Sequence, residues 1–233
     1  MAVAFDANAT ADSTANGVTS INHTNLTIGS GSNRAVIAQI GWSGTVTSPA
    51  LKWDNAGTPQ SMTVITNAGA TNTVRAELWG LVAPTSGNKT LNAAWTTARD
   101  VVVNGTSFTG VDQTGGTTSF PNGVGATGTG TSSPQTMVTI TSAVGDFTVA
   151  IVGTVSTPSA PTQTQTFLDS SPATESVAGS RAVGAATVAH GWTIAGAQAW
   201  AAAGTDIKAA ASVTFIAAEP LMVRQAVNRA GTY

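Results

Sequence analysis

Cysteine is absent from this chain. That excludes disulfides, thiolate metal sites and cysteine nucleophiles together. It leaves the compartment open, because exported proteins also do without cysteine. Charge is almost as scarce: Asp, Glu, Lys and Arg make up 9% of the residues, against roughly a quarter in ordinary soluble domains. The formal net charge is −2 and the basic residues form no cluster. Such a chain has no field to attract nucleic acid or an anionic membrane surface. No apolar run is long enough to span a bilayer. The 3.6-residue amphipathic period is missing over any useful length. Met1 to Asp6 offers neither a basic segment nor an apolar core, so no signal peptide is expected.

What is present is apolar and small. Hydrophobic residues reach 42%, the reverse of a disordered composition. Much of that is Ala and Val, with Thr, Ser, Asn and Gly filling the remainder. The polar surface must then be built of hydroxyls and amides. A length of 233 residues suits one large β domain or two small ones, and all-β sandwiches often run this long as one unit.

The stretch from Val101 to Gln113 organises the reading. Three valines open it, and β-branched side chains suit a pleated strand. Val102, Thr106 and Phe108 share one face; Val101, Val103 and Ser107 share the other. Neither face is strongly polar, which predicts a central strand covered on both sides, with Phe108 buried. Gly105 and Gly110 mark a bend or a close approach by a neighbour.

Short strands are predicted on either side. Candidates before it are Phe5 to Ala9, Val18 to Thr24, and a strand opened by Arg34 in which Val36, Ala38, Ile40 and Trp42 face one way and Gln39 the other. Leu51 to Trp53 is followed by a turn at Asp54–Gly57, with Ser61 to Thr66 as hairpin partner. In the run Val74 to Val82, Val74, Ala76, Leu78 and Val82 point inward, Arg75 and Glu77 outward, and Pro84 stops it. Thr90 to Thr96 alternates, and a turn at Ala98–Asp100 leads into the central strand. The Gly/Thr/Ser-rich segment Gly115 to Pro134 is long for a loop and predicts a short strand near Ser119–Phe120. Further strands are expected at Thr136–Thr141, Phe147–Val152, Gln163–Leu168, Ala186–Ile194, Ala197–Lys208 and Ser212–Ile216. Residues 169–184 read as loop. Ala199 to Ala203 has helix propensity, but Gly196 and Gly204 leave room for a turn at most. Many short strands at regular spacing mean a sandwich or barrel.

Few residues carry chemistry. A glycoside hydrolase needs two carboxylates on one face, whereas Glu77, Glu175 and Glu219 are widely separated in sequence; Asp remains open as a partner. A Ser-His-Asp triad needs a base, and the histidines are His23 and His190. His190 keeps phase with Val188 and Trp192, which favours a hydrogen-bonded core or interface histidine. His23 reads as a surface or strand-end residue. Asp54-Asn55 and Asp112-Gln113 are the best fragments for calcium, and both are ordinary turn formers. Gly123 to Gly128 has dinucleotide-fingerprint spacing, but no helix is predicted after it. Trp42, Trp79 and Trp192 lie in alternating strands and read as core; Trp53 and Trp200 leave sugar stacking open.

The ordered set of segments resembles a family. Ser107 to Thr114 reads SFTGVDQT, like a strand of jelly-roll sandwich domains related to the laminin-G and concanavalin-like architecture. Its flanks resemble that family too: Gly31 to Arg34, Ala76 to Trp79 followed by Val82 to Pro84, Ser142 to Phe147, and Trp192 to Ile194 before Ala199 to Ala201. The likeness spans residues 1–209. It implies an all-β fold, a single jelly-roll-like antiparallel β-sandwich, and supplies no catalytic set; from the residues themselves no cofactor or metal is expected. Such domains occur in tailed-phage structural proteins and in bacterial surface proteins. The expected role is therefore a non-enzymatic virion protein: a capsid decoration or a head, neck or tail fibre component. It would be made in the host cytoplasm and assemble with other virion proteins and copies of itself. The alternative is a glycan-binding adhesive module that meets a host-surface glycan.

Residues 210–233 depart from the family as a C-terminal extension. Ser212 to Ile216 can add a strand, and Pro220 must end it. Beyond lie Leu221, Met222, Val223 and Val227, interleaved with Arg224 and Arg229. A free tail would be polar. The expectation is that residues 219–233 dock on a neighbour, with the apolar residues as anchors and the arginines at the rim. The alternative is a tail folded back on its own sandwich.

Overall fold

The computed structural model describes residues 1–11, 13–44, 49–70, 73–131, 133–170 and 175–211. Among them the chain is an all-β sandwich. The strands run in the order β1 (Ala4–Asn8), β2 (Ser13–His23), β3 (Thr27–Ile28), β4 (Ala35–Ser43), β5 (Ala50–Trp53), β6 (Gln60–Ser61), β7 (Thr63–Ala70), β8 (Val74–Val82), β9 (Gly87–Asn88) and β10 (Leu91–Thr109). A helical turn, α1 (Gly116–Ser119), precedes β11 (Val124–Thr129), β12 (Gln135–Thr141), β13 (Phe147–Thr154), β14 (Thr164–Ser170), β15 (Ser176–Val183), β16 (Thr187–Trp192) and β17 (Ala199–Ile207). No helix among these residues is long and apolar enough to cross a membrane.

Two antiparallel sheets face each other. The first runs β6-β5-β10-β4-β8-β7, with β1 and β2 also on β10; the second runs β11-β17-β13-β15-β14. A ribbon of β12 and β16 is separate, as is the short pair β3 and β9. β10 carries the first sheet round a corner. Val101 to Phe108 pair with β4, whereas Leu91 to Ala94 lie between β2 and β5. Register slips between Ala94 and Val101, and a bulge there bends the strand. The turn expected at Ala98–Asp100 is this bulge, inside one continuous strand.

Three apolar layers follow from that path. Ile37, Leu78, Val102 and Phe108 of the first sheet meet Phe147, Ile151 and Ile207 of the second. Behind the first sheet, Val36, Ile40, Trp42, Val101 and Val103 meet Leu51, Trp53, Leu91 and Trp95 of the folded-back part. Behind the second sheet, Val152 and Trp200 meet Met137 and Trp192 of the ribbon. The middle strands are thus covered on both faces, as the valine run predicted, and Phe108 is wholly buried. The geometry accounts for the missing charge, because an unpaired charge at such a position is costly. Polar side chains there pair internally: Gln39 Nε2 donates to Ala150 O (3.1 Å), and its Oε1 accepts from Thr106 Oγ1 (3.1 Å).

Both central glycines mark close approaches. A Cβ on Gly105 would stand 2.7 Å from Leu26 Cδ2, and Gly110 has φ +72°. At that end the SFTGVDQT stretch is tied to neighbours. Val111 N donates to Asn33 O (2.9 Å) and Asp112 N to Lys208 O (2.8 Å).

Several expectations need correction. Glu77 is buried, not outward. Within Ser61–Thr66, Ser61 pairs with β5, but from Thr63 the chain joins β8 at the opposite edge. Ser119–Phe120 is not a strand: Ser119 closes α1, and the strand in that segment is β11. Residues 169–184 hold the end of β14 and all of β15. The strand expected at Ala197–Lys208 is present as β17, with Ala199 to Ala203 extended. Ser212–Ile216 lies outside the described residues.

Candidate functional site

A polar cluster sits between the second sheet and the β12–β16 ribbon. Alternation along β16 turns Val188, His190 and Trp192 inward. His190 is wholly buried between two hydroxyls: Ser180 Oγ is 2.7 Å from Nδ1 and Thr148 Oγ1 is 2.9 Å from Nε2. A neutral imidazole has one donor and one acceptor, and two hydroxyls satisfy both. Burial pushes its pKa down to about 4, so the ring is neutral at pH 7. The expected hydrogen-bonded core histidine is what the fold contains. Serine, histidine and threonine are together here, but both ring nitrogens are already engaged by core hydroxyls.

One residue pair along, Thr148 lies opposite Asp206 of β17. Asp206 is buried and takes a hydrogen bond from Ser142 Oγ (2.5 Å). Asp146, in the turn before β13, is its carboxylate neighbour. Asp146 Oδ1 in turn accepts from Ala209 N (2.7 Å), which anchors the chain just past β17. Burial, and then the Asp146 charge, raise the Asp206 pKa to about 6, with the Ser142 hydroxyl pulling the other way. Sequence reasoning missed this pair. The two positions are sixty residues apart in sequence; Asp146 falls in the family-like segment Ser142 to Phe147, but nothing local links it to Asp206.

Four other candidates, His23, Glu77, Asp112 and Asp54, also have internal partners. His23 ends β2 as expected, but it is buried rather than at the surface, with Nδ1 2.9 Å from Ser13 Oγ and its pKa lowered to about 4 by burial. Glu77 accepts from Arg75 Nε and from Trp79 Nε1 (2.8 Å), all three on one face of β8. Asp112 folds onto Thr114 N (2.8 Å) and Ser119 Oγ (3.2 Å), a turn motif that holds its carboxyl below the usual range. Asp54 faces Lys89 Nζ (3.4 Å) and Thr85 Oγ1 (3.2 Å). Among the described residues no three His, Asp or Glu side chains group as metal ligands. Gly123 to Gly128 enters β11, so its spacing cradles no phosphate.

All six tryptophans are interior, including Trp53 and Trp200, so none offers a face for sugar stacking. A cavity of about 90 Å³ beside β7 and α1, lined by Val64, Ile65 and Phe120, is well below the roughly 300 Å³ of small-ligand sites. Leu221, Met222, Val223, Arg224, Val227 and Arg229, together with Glu219, lie outside the described residues. Compared with family models, curated proteins and solved structures, the chain matches none.

Proposed function

We propose that this chain is a non-enzymatic structural protein of a tailed-phage virion, as a capsid decoration or a head, neck or tail fibre component. The observation that carries the reading is the ordered set of family-like segments. Two of them, Gly31–Arg34 and Ser107–Thr114, bond to each other at one end of the sandwich through Ser32, Asn33, Gly110 and Val111. The reading is further supported by where reactive groups go: His190 and Glu77 are spent on internal partners. A surface with so little charge has few repulsive guards against association. Peptide mass spectrometry of density-purified particles from the source tests it. The chain is expected in the particles at a fixed ratio to the capsid or tail proteins. Recovery from the cell envelope, with none in particles, would overturn the reading.

The same proposal assigns residues 219–233 to a neighbour, with Leu221, Met222, Val223 and Val227 as anchors and Arg224 and Arg229 at the rim. Truncation after Glu219 is expected to give a product that fails to attach or assemble, with a nearly unchanged melting temperature. A truncated chain that assembles normally, or that simply unfolds, sinks this part.

A further inference from the structure

Among the described residues, Arg181 of β15 faces no carboxylate. Its guanidinium lies 3.7 Å over the Phe5 ring and 5.9 Å from that of Phe147. A ring takes the flat face of the group and leaves its N–H edges, and Nε is buried with no hydrogen-bond partner. Arg34 and Arg75 are not left so: Arg34 donates to Pro84 O (3.2 Å) and Gly31 O (2.9 Å), and Arg75 to Glu77. Burial pushes the Arg181 pKa down. A half-buried cation held in this way is costly until an anion meets it.

Exposed apolar side chains lie beside it. Val183, two residues on along β15 and so on the same face, is 69% exposed, and Val144, in the turn before β13, is 93% exposed. The two stretches touch: Gly184 N donates to Asp146 O (2.9 Å), and Gly184 has no room for a Cβ against Ala143 O. Val3 N donates to Gly145 O (2.7 Å), which brings the first residues to the same turn. An exposed valine by itself is ordinary. Two together, beside a cation that lacks an anion, point to a contact surface.

The chain leaves its described part at this end. Ile207, Phe147 and Val183 sit in a row across β17, β13 and β15, so Val183 is two strand spacings, roughly 10 Å, from Ile207. Past β17, Ala209 N donates to Asp146 Oδ1 (2.7 Å) and Met1 N to Ala210 O (3.3 Å). The sequence then reads Ser212-Val213-Thr214-Phe215-Ile216-Ala217-Ala218-Glu219. Drawn out, such a segment reaches about 26 Å, more than the gap requires. Period two puts Val213, Phe215, Ala217 and Glu219 on one face. Glu219 is the sole acidic side chain in residues 212–233. A segment that starts beside its target meets it at a high effective concentration, which favours it over a second copy.

We infer that residues 212–219 are a strap over this end of their own sandwich, with Val213 and Phe215 on Val144 and Val183 and the Glu219 carboxylate on the Arg181 guanidinium. An arginine fork held flat by a ring presents its edge N–H groups in the geometry a carboxylate accepts. Pro220 ends the strap, and the anchors from Leu221 to Val227 remain available to a neighbour. The strap holds whether or not that neighbour is a virion protein.

Thermal melting of the full chain tests it through a cycle of charge removals. Glu219→Gln is expected to lower the melting temperature by about 2–4 °C in the wild type, and to leave it unchanged in an Arg181→Gln background, where the cation is already gone. Should Arg181→Gln not fold, Glu219→Lys replaces that arm: set against the Arg181 cation, it is expected to lower melting further than Glu219→Gln does. The Glu219→Gln shift is also expected to persist over about a hundredfold dilution, because a contact within one chain does not depend on concentration. No shift in the wild type, an equal shift in both backgrounds, or a Glu219→Lys chain that melts with Glu219→Gln would overturn the strap. A shift that disappears on dilution would overturn it too, and would give the surface to the tail of a second copy.

Discussion

Phe108→Ala is expected to cost about 3–5 kcal/mol of folding stability. The side chain is wholly buried at the centre of the layer between the two sheets. Its ring stands 5.3 Å from Phe147 across the sandwich and 6.3 Å edge-on to Phe5 of β1. Phe108 lies opposite Ala35 of β4 on one side and Phe5 on the other, so strands pinned by ladder bonds surround the space the ring leaves. Such a site collapses poorly, and a cavity adds to the lost transfer energy. Arg181 raises the stakes: its guanidinium lies 3.7 Å over the Phe5 ring and covers the same cluster from outside. Urea unfolding should show a lower midpoint with an unchanged slope, the mark of lost stability rather than altered compactness. A loss under about 1 kcal/mol would mean that the strand is not the centre of the core.

How much of this was legible depended on side-chain size. β4, the second half of β10, and β16 were readable because large apolar residues recur every second position. β15 and β11 were not. Ser176 to Ser180 is buried through smallness: a Cβ on Gly179 would stand 2.6 Å from Gln39 Nε2, so neighbours close over a glycine that carries no hydropathy signal. Glu77 was misread for a different reason. A carboxylate in a strand suggests solvent, but Arg75, Glu77 and Trp79 share a face by period two, and that spacing was the available clue to an internally bonded group. The bend in β10 resembled a turn because Ala98-Arg99-Asp100 interrupts the apolar pattern, and a bulge interrupts it equally. His190 was placed in the core by phase. Its partners Thr148 and Ser180, like the meeting of Asp146 and Asp206, arise from pairing across distant strands, which no local pattern records.

The carboxyl pair yields the second large effect, and its sign is opposite to the common one. Asp206 is buried beside Asp146, and its folded pKa is raised to about 6 from the ordinary 3.8. The fold therefore favours the neutral acid. Below the unfolded pKa the group costs nothing; as pH climbs from 3.8 through 6 a penalty builds, and at pH 7 it is complete at about 2–3 kcal/mol. His23 and His190 work the other way. Their pKa values fall from 6.5 to about 4, so the stability they confer is full above pH 6.5 and drains away as pH falls toward 4. In the wild type these slopes oppose each other. Asp206→Asn removes one of them while an amide oxygen still accepts from Ser142. The variant is expected to be more stable than wild type by about 1–3 kcal/mol at pH 7. The advantage should shrink toward zero near pH 4, and the variant should lose stability more steeply on acidification. Urea midpoints at pH 7 and pH 4 measure both. An advantage equal at the two pH values would assign the gain to packing rather than ionisation, and no gain at pH 7 would mean that Asp206 carries its charge in the fold without cost.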